Sequence, residues 1–192
     1  LQIISRMAGE ILTIQVGGTG KLLGDAFWNS LGKNDSRFRQ TSPIICGSDG
    51  SGNCYAKAFH STGPPVANRV VNQVRRELEK CDSCQAVQFF HSLGGGTGSG
   101  LTGLLLKSVS ELFGGSSSVV LYSVCSTPAL NVLQNFNATL SLQDLAEYCH
   151  MVFPFRDRPK EMATNLVGMT ADIRKLHSNL VPFKKAHFLR SC

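Results

Sequence analysis

The stretch "HSLGGGTGSGLTGLLLKSV", residues 91–109, places five glycines in the seven positions 94–100 and runs at once into a leucine-rich segment. Upstream, Ala86–Ser92 is apolar enough to be a buried strand. Downstream, Leu101, Leu104, Leu105, Val109 and Leu112 recur at helical spacing, predicting a helix over Leu101–Phe113. A plain strand-to-helix turn does not need this much glycine. Backbone NH groups at a helix start lack intrahelical partners and carry partial positive charge. Glycine leaves them bare, so an anion can approach without meeting a Cβ. Thr97 and Ser99 add hydroxyls. The composition and placement point to a polyphosphate nest, against the plain alternative of a flexible turn.

The neighbouring segments repeat the theme. Ile11–Val16 reads as a buried strand ending at Gly17-Gly18, and Lys21–Leu31 as the helix that follows. Residues 32–64 are rich in Gly, Ser, Asn and Pro and read as a long loop, in which only "PIIC" (43–46) could pair as a strand. Val66–Lys80 is amphipathic, with Val66, Val70, Val74 and Leu78 four apart and Pro64-Pro65 at its start. Strands are expected at Ser118–Val124 and Met151–Phe155, with a short helix at Thr139–Tyr148 between them. Lys160–Leu180 reads as helical and Ala186–Leu189 as the start of a strand. Alternation of strand and helix implies an α/β fold: a Rossmann-like parallel sheet with helices on both faces and ligands at the carboxyl ends of its strands.

The 192 residues suffice for one domain and part of a second. A hydrophobic fraction of 42% with 17% charged residues describes a globular chain, and no apolar run approaches the ~20 residues of a membrane helix. Met7 is the expected start of the protein proper, making residues 1–7 a leader. Seven cysteines without a secretion signal are expected to be reduced thiols. Cys81-Asp-Ser-Cys84 has zinc-knuckle spacing but no second pair to complete a site. The five histidines are scattered and expected to be structural, and Asn34 and Asn137 sit in glycosylation-type triplets of no significance in a cytosolic chain. The net charge of +6 comes from dispersed Lys and Arg, with no interleaved aromatic residues, so neither nucleic acid nor membrane is expected as a partner.

Two common phosphate motifs fail. The P-loop pattern needs Ser or Thr after its lysine, but Lys21 is followed by Leu22; GxGxxG from Gly18 ends on Leu23. An NAD-dependent Rossmann enzyme is therefore a remote alternative. "GGGTGSG" after an apolar strand instead resembles the signature loop of the tubulin and bacterial cell-division GTPase superfamily. "ILTIQVGGTGKLLGDAFW", "GSGNCYAKAFHSTGP", "NFNATLSLQDLAE" and "ADIRKLHSNLVPFKKAHFL" resemble other family segments in the right order. The chain is similar to a divergent tubulin, closer to the centriolar epsilon, delta and zeta classes than to alpha and beta.

The resemblance implies a GTPase-type nucleotide-binding domain over 8–158 and, over 159–192, the end of a central helix and the start of a second domain. It implies GTP or GDP held by the loops 17–24 and 94–100, through Gly17, Gly18, Thr19, Gly20, Asn53, Gly94, Gly95, Gly96, Thr97 and Gly98. Partners would be other tubulin subunits or centriole components, in the cytoplasmic cytoskeleton. Gly18 and Thr19 replace the family's Gln and Cys, and the acidic loop that serves Mg2+ is compressed away between Leu31 and Gly47. "RDRPKEMATNLV" is too short for the family's base-reading segment, leaving Asn165 as a candidate remnant. The family's trans-acting catalytic acid falls on Lys175, which cannot serve as a general base, and nearby Asp172 is expected to be structural. The resemblance thus implies a microtubule constituent with little or no intrinsic GTPase activity. The alternative is a degenerate or partial tubulin, with weak nucleotide binding and an interaction role at most.

Overall fold

The computed structural model describes residues 10–31, 38, 43–47, 50–113, 118–125, 131–156 and 188. Its elements run β1 (Glu10–Val16), α1 (Gly17–Ser30), β2 (Ile44–Cys46), a π-helical segment (Lys57–Thr62), α2 (Gly63–Lys80), β3 (Cys84–Ser92), a second π-helical segment (Thr97–Leu101), α3 (Thr102–Phe113), β4 (Ser118–Cys125), α4 (Val132–Tyr148) and β5 (Met151–Arg156). All strand pairs are parallel, in the order β2-β1-β3-β4-β5. Strand order reverses between β1 and β3, the position at which doubly wound sheets bind their ligands.

Both sheet faces are covered, which is why the strands are nearly continuous apolar runs rather than alternating ones. On one face Leu12, Ile14, Val87, Phe89 and Leu121 pack against Val70 and Val74 of α2, Leu105 and Val109 of α3 and Leu145 of α4. On the other, Ile11, Phe90, Val120 and Tyr122 pack with Leu23 and Phe27 of α1 and with Phe38. Phe27 meets Trp28, Phe38 and Phe90 at ring-centroid distances of 5.6, 5.6 and 5.3 Å. Burying each such side chain contributes roughly 2–3 kcal/mol. One pair of polar residues meets across β1 and β3: Gln88 donates to Thr13 at 2.8 Å.

Several expected boundaries move. The helix expected from Lys21 begins at Gly17, so the glycine turn is itself the first turn of α1. Residues 32–64 are not all loop: "IIC" pairs with β1, and the π-helical segment Lys57–Thr62 leads directly into α2. The helix expected at Thr139 starts at Val132, capped by Asn131, whose side chain accepts from Leu133 N at 3.0 Å. Of the inward set expected on α3, Leu101, Leu105 and Val109 are fully buried. Leu104 and Leu112 are only partly so, with Leu106 and Phe113 taking their places. The helix expected over 160–180 and the boundary at 158–159 lie outside the described residues. From the expected strand 186–189, Phe188 makes an isolated parallel bridge to Val152. No helix among the described residues is long and apolar enough to cross a membrane.

The seating of α1 on the β1–β3 seam depends on two glycines. A Cβ at Gly20 would lie inside contact distance of the Phe90 carbonyl, and one at Gly24 would collide with the side chain of Gln15. Gly18, by contrast, is exposed, and nothing lies within 4 Å of where its Cβ would stand. Gly20→Ala is therefore expected to destabilise the domain by about 2–3 kcal/mol, because a backbone carbonyl cannot step aside. Gly18→Ala should be neutral or slightly stabilising. Urea unfolding of the two variants beside the parent chain measures the difference.

Candidate functional site

The two glycine loops meet at the carboxyl ends of β1 and β3. Gly17 has a positive φ of 72°, and a Cβ there would come to 3.3 Å from Gly98 N. The loop that follows β3 is held by its neighbours on three sides. Beneath it, His91 is fully buried; its Nδ1 lies 3.0 Å from Gly98 O and its Nε2 2.6 Å from Ser123 Oγ. A carbonyl can only accept, so Nδ1 carries the proton and the Ser123 hydroxyl donates to Nε2. Within the loop, Ser99 Oγ donates to Gly95 O at 2.6 Å and to Gly96 O at 3.1 Å.

Beside it runs the segment Ser51–Tyr55. Asn53, itself at φ 55°, accepts from Gly96 N at 3.2 Å through Oδ1. Thr97 Oγ1 donates to Ser51 Oγ at 3.1 Å. From α4, the buried Asn137 spans the two loops: Nδ2 donates to Gly94 O at 2.9 Å and to Asn53 O at 3.0 Å, while Oδ1 accepts from Tyr55 N at 3.0 Å. Tyr55 in turn donates its hydroxyl to Asp144 of α4 at 2.5 Å. Burial, followed by the charge of Glu147, raises the Asp144 carboxyl above the usual range, against the lowering effect of the Tyr55 hydrogen bond.

This packing explains most of the glycine. A Cβ at Gly96 would strike Cys54 N and Asn53, one at Gly98 would reach 2.5 Å from Ser92 Oγ, and one at Gly100 would strike Tyr55 O. The main chain is bare at these three positions because other main chain presses on it. Gly18 is exposed, while Thr19, Gly95 and Thr97 are half-buried, so these residues bound the open part of the junction. The start of α1 has no side-chain cap. The ten expected nucleotide-binding positions thus converge, with two distinctions: Gly20 is buried under Phe90, and the Gly96 NH is engaged by Asn53. Lys175, Asp172 and Asn165 lie outside the described residues.

Uncapped helix NH groups, a bare and open Gly18 and the Thr19 hydroxyl form a donor set that fits a polyphosphate, while the Thr97 hydroxyl is engaged by Ser51. Among the described residues no group of three His, Cys, Asp or Glu is arranged to hold a metal ion. Cys81 and Cys84 stand at the end of α2 and the start of β3. Burial, with a hydrogen bond and charge from Glu10, pushes the Cys81 thiol up to about 12. Sequence reading missed Asn137, seen only as part of an Asn-Ala-Thr triplet, and His91, grouped with the scattered histidines. The signal for Asn137 was a polar residue on what becomes the inner face of α4.

This network sets two expectations. Asn137→Ala leaves two carbonyls and one NH without their partner, an expected loss of about 2–4 kcal/mol in chemical unfolding. Burial lowers His91 from its ordinary 6.5 to about 4. The unfolded chain therefore binds this proton first as pH falls, and the stability held above pH 6.5 drains as pH drops toward 4. The domain should be about 2 kcal/mol less stable at about pH 5 than at about pH 7 from this group alone. His91→Gln should flatten that part of the unfolding profile.

With the geometry established, comparison with known proteins gives it a family. Residues 33–158 match the Tubulin/FtsZ family, GTPase domain. Beta-Tubulin at 65B of Drosophila melanogaster is 26% identical over 263 aligned positions, covering 94% of this chain and 57% of the relative. The Tubulin beta-1 chain of Colletotrichum gloeosporioides is 34% identical, covering 79% of this chain and 41% of the relative. The Tubulin beta chain of Bombyx mori is 32% identical, covering 76% and 39%. The chain thus spans about 39–57% of the length of these curated relatives. The matched segment contains the junction after β3 and four of the five strands, and on these grounds the chain belongs to the Tubulin/FtsZ family, with a tubulin-like GTPase domain.

Proposed function

We propose that this chain is a guanine-nucleotide-binding, tubulin-like constituent of the microtubule cytoskeleton, holding the polyphosphate between the α1 start and the 94–98 loop. The observation that carries this reading is the contact of Gly17 with Gly98 at the strand-order reversal, beside an uncapped helix start and the open Gly18. The family supplies the guanine nucleotide, and relatives named as tubulin beta chains supply other tubulin subunits as partners in a cytoplasmic setting. A centriolar role rests on the resemblance of "KCDSCQAVQFFHSLGGGTGSG" to the centriolar classes.

The engaged Gly96 NH gives the proposed site a particular energetics. A phosphate oxygen that takes this donor displaces Asn53, exchanging a neutral hydrogen bond for a charge-assisted one of roughly twice the strength. Binding at that position is therefore coupled to movement of the Ser51–Tyr55 segment, which Asn137 and Asp144 anchor. The phosphate half of the site needs only main chain and two threonines. Discrimination between bases needs buried polar groups matched to the base edge. In the family those groups belong to the segment compressed here to "RDRPKEMATNLV". Phosphate contacts therefore supply most of the affinity for the guanine nucleotide here, and contacts to the base add little.

Gly18→Asp separates this reading from a purely structural role for the loops. A carboxylate in the first turn of α1 favours the helix dipole and meets open space, so folding stability should hold or rise slightly. The same charge repels a bound triphosphate, and nucleotide affinity measured by isothermal titration should fall at least about tenfold. Equal affinity of the parent and Gly18→Asp chains for GTP would overturn the proposed site.

A further inference from the structure

A groove runs along the outer side of α2 beside the sheet edge; its inner end reaches Thr97 of the glycine junction, and the rest of it has no role in holding a nucleotide. Its first part is a cavity of about 500 Å³ whose apolar wall includes Ile45, Cys46, Val66 and Val70. Its second part, of about 510 Å³, is lined only by residues of α2, and the two share Arg69 and Gln73. Arg69, Gln73, Arg76 and Lys80 follow one another at intervals of four, three and four, so they form a single ridge along the helix. One acid, Glu77, lines the second part, and it is engaged by Lys80 at 2.7 Å. The ridge therefore presents Arg69 and Arg76 as cations with no ion-pair partner among the described residues.

The other bank of the groove is β2. Among the described residues β2 pairs only with β1, so its outer edge offers backbone NH and C=O groups for another strand. Ile45 stands on it 53% exposed. A ridge from residue 69 to residue 80 is about 16 Å long at ~1.5 Å per residue. An extended peptide of about five residues, at ~3.3 Å each, covers that length. Strand addition to an open edge, with side chains read by flanking pockets, is a general mode of peptide capture.

We propose that the β2–α2 groove binds an extended acidic peptide segment of a protein partner. The segment adds as a strand to β2, turns its carboxylates toward Arg69 and Arg76 on the α2 side, and lays the intervening apolar side chains beside Ile45 on the other face. Charge complementarity selects the occupant. The two cations stand about 10 Å apart along the ridge at ~1.5 Å per residue and attract an acidic segment while repelling a basic one, and no aromatic side chain lines either part to stack a nucleobase. Thr97 belongs to both the inner end of the groove and the glycine junction, but the strand edge and the arginine ridge lie on β2 and α2, so peptide capture does not require that a nucleotide binds.

The test is fluorescence anisotropy of a labelled, end-blocked hexapeptide alternating glutamate with valine, titrated with the purified chain at low ionic strength. Saturable binding is expected, weakened at least about tenfold by the paired substitution Arg69→Glu and Arg76→Glu and also by Ile45→Asp. Circular dichroism establishes that these exposed substitutions leave the fold intact, and the milder pair Arg69→Gln and Arg76→Gln should weaken binding in the same direction. Equal binding of a peptide with lysine in place of glutamate would overturn the proposal. So would tighter binding of a polyuridine oligonucleotide, or unchanged affinity in both arginine pairs.

Discussion

The structure depends on main chain packed directly against main chain at the carboxyl end of β3. Gly20 of α1 lies on the Phe90 carbonyl, Gly98 on Ser92, and Gly96 and Gly100 on the Ser51–Tyr55 segment. Each contact is closer than any residue with a Cβ allows. Together they bring the starts of two helices to one point where the strand order reverses. A helix start in water gains little by being bare. Two of them, converging and partly shielded by the protein, produce a local positive potential without a charged residue. The fold thus makes its anion-facing surface out of a packing requirement, beside which Gly18 is exposed and Gly95 half-buried.

Converging loops need to be held, and here the task falls to Asn137 and His91. A buried asparagine amide offers two donors and an acceptor, and Asn137 uses both donors and its oxygen on backbone groups of two different loops. Flipping the amide would break all of these bonds, so the network itself fixes the rotamer. From below, neutral His91 ties the Gly98 carbonyl to Ser123 of β4. The loop geometry is therefore set from β4, from α4 and from the segment before α2. Buried polar networks of this kind are costly when partly satisfied and rigid when complete, which suits a surface whose use depends on fixed NH directions.

The sheet was legible because its strands are buried on both faces. "ILTIQV", "SVVLYSV" and "MVFPF" need no alternation to be read, and all three form strands within a residue or two of their expected ends. Helix starts were less legible. α1 begins in glycines, the residues that propensity places in turns, because tertiary contact under Phe90 overrides intrinsic preference. The π-helical segment Lys57–Thr62 escaped because its polar composition reads as loop while Gly63 and Gly100 lock it against Ala58 and Tyr55. The location of the candidate site was readable from composition, whereas the reason for that composition was not. Period and propensity cannot show that Gly96 lies under Cys54, or that an asparagine some forty residues away closes the loop.

Seen from the sheet edge, the same economy has a second consequence. β2 has three residues and, among the described residues, pairs on one side only; Ile44 and Cys46 are buried in the core while Ile45 points out. An edge this short lowers the risk of uncontrolled strand pairing, and the cations of the neighbouring α2 ridge repel any strand that is itself basic. What the edge can accept is thereby narrowed rather than abolished. Backbone groups supply affinity without selectivity, and the arginines supply selectivity at long range while contributing little to affinity when solvated. A partner must satisfy both at once, in register, along the length of one helix face.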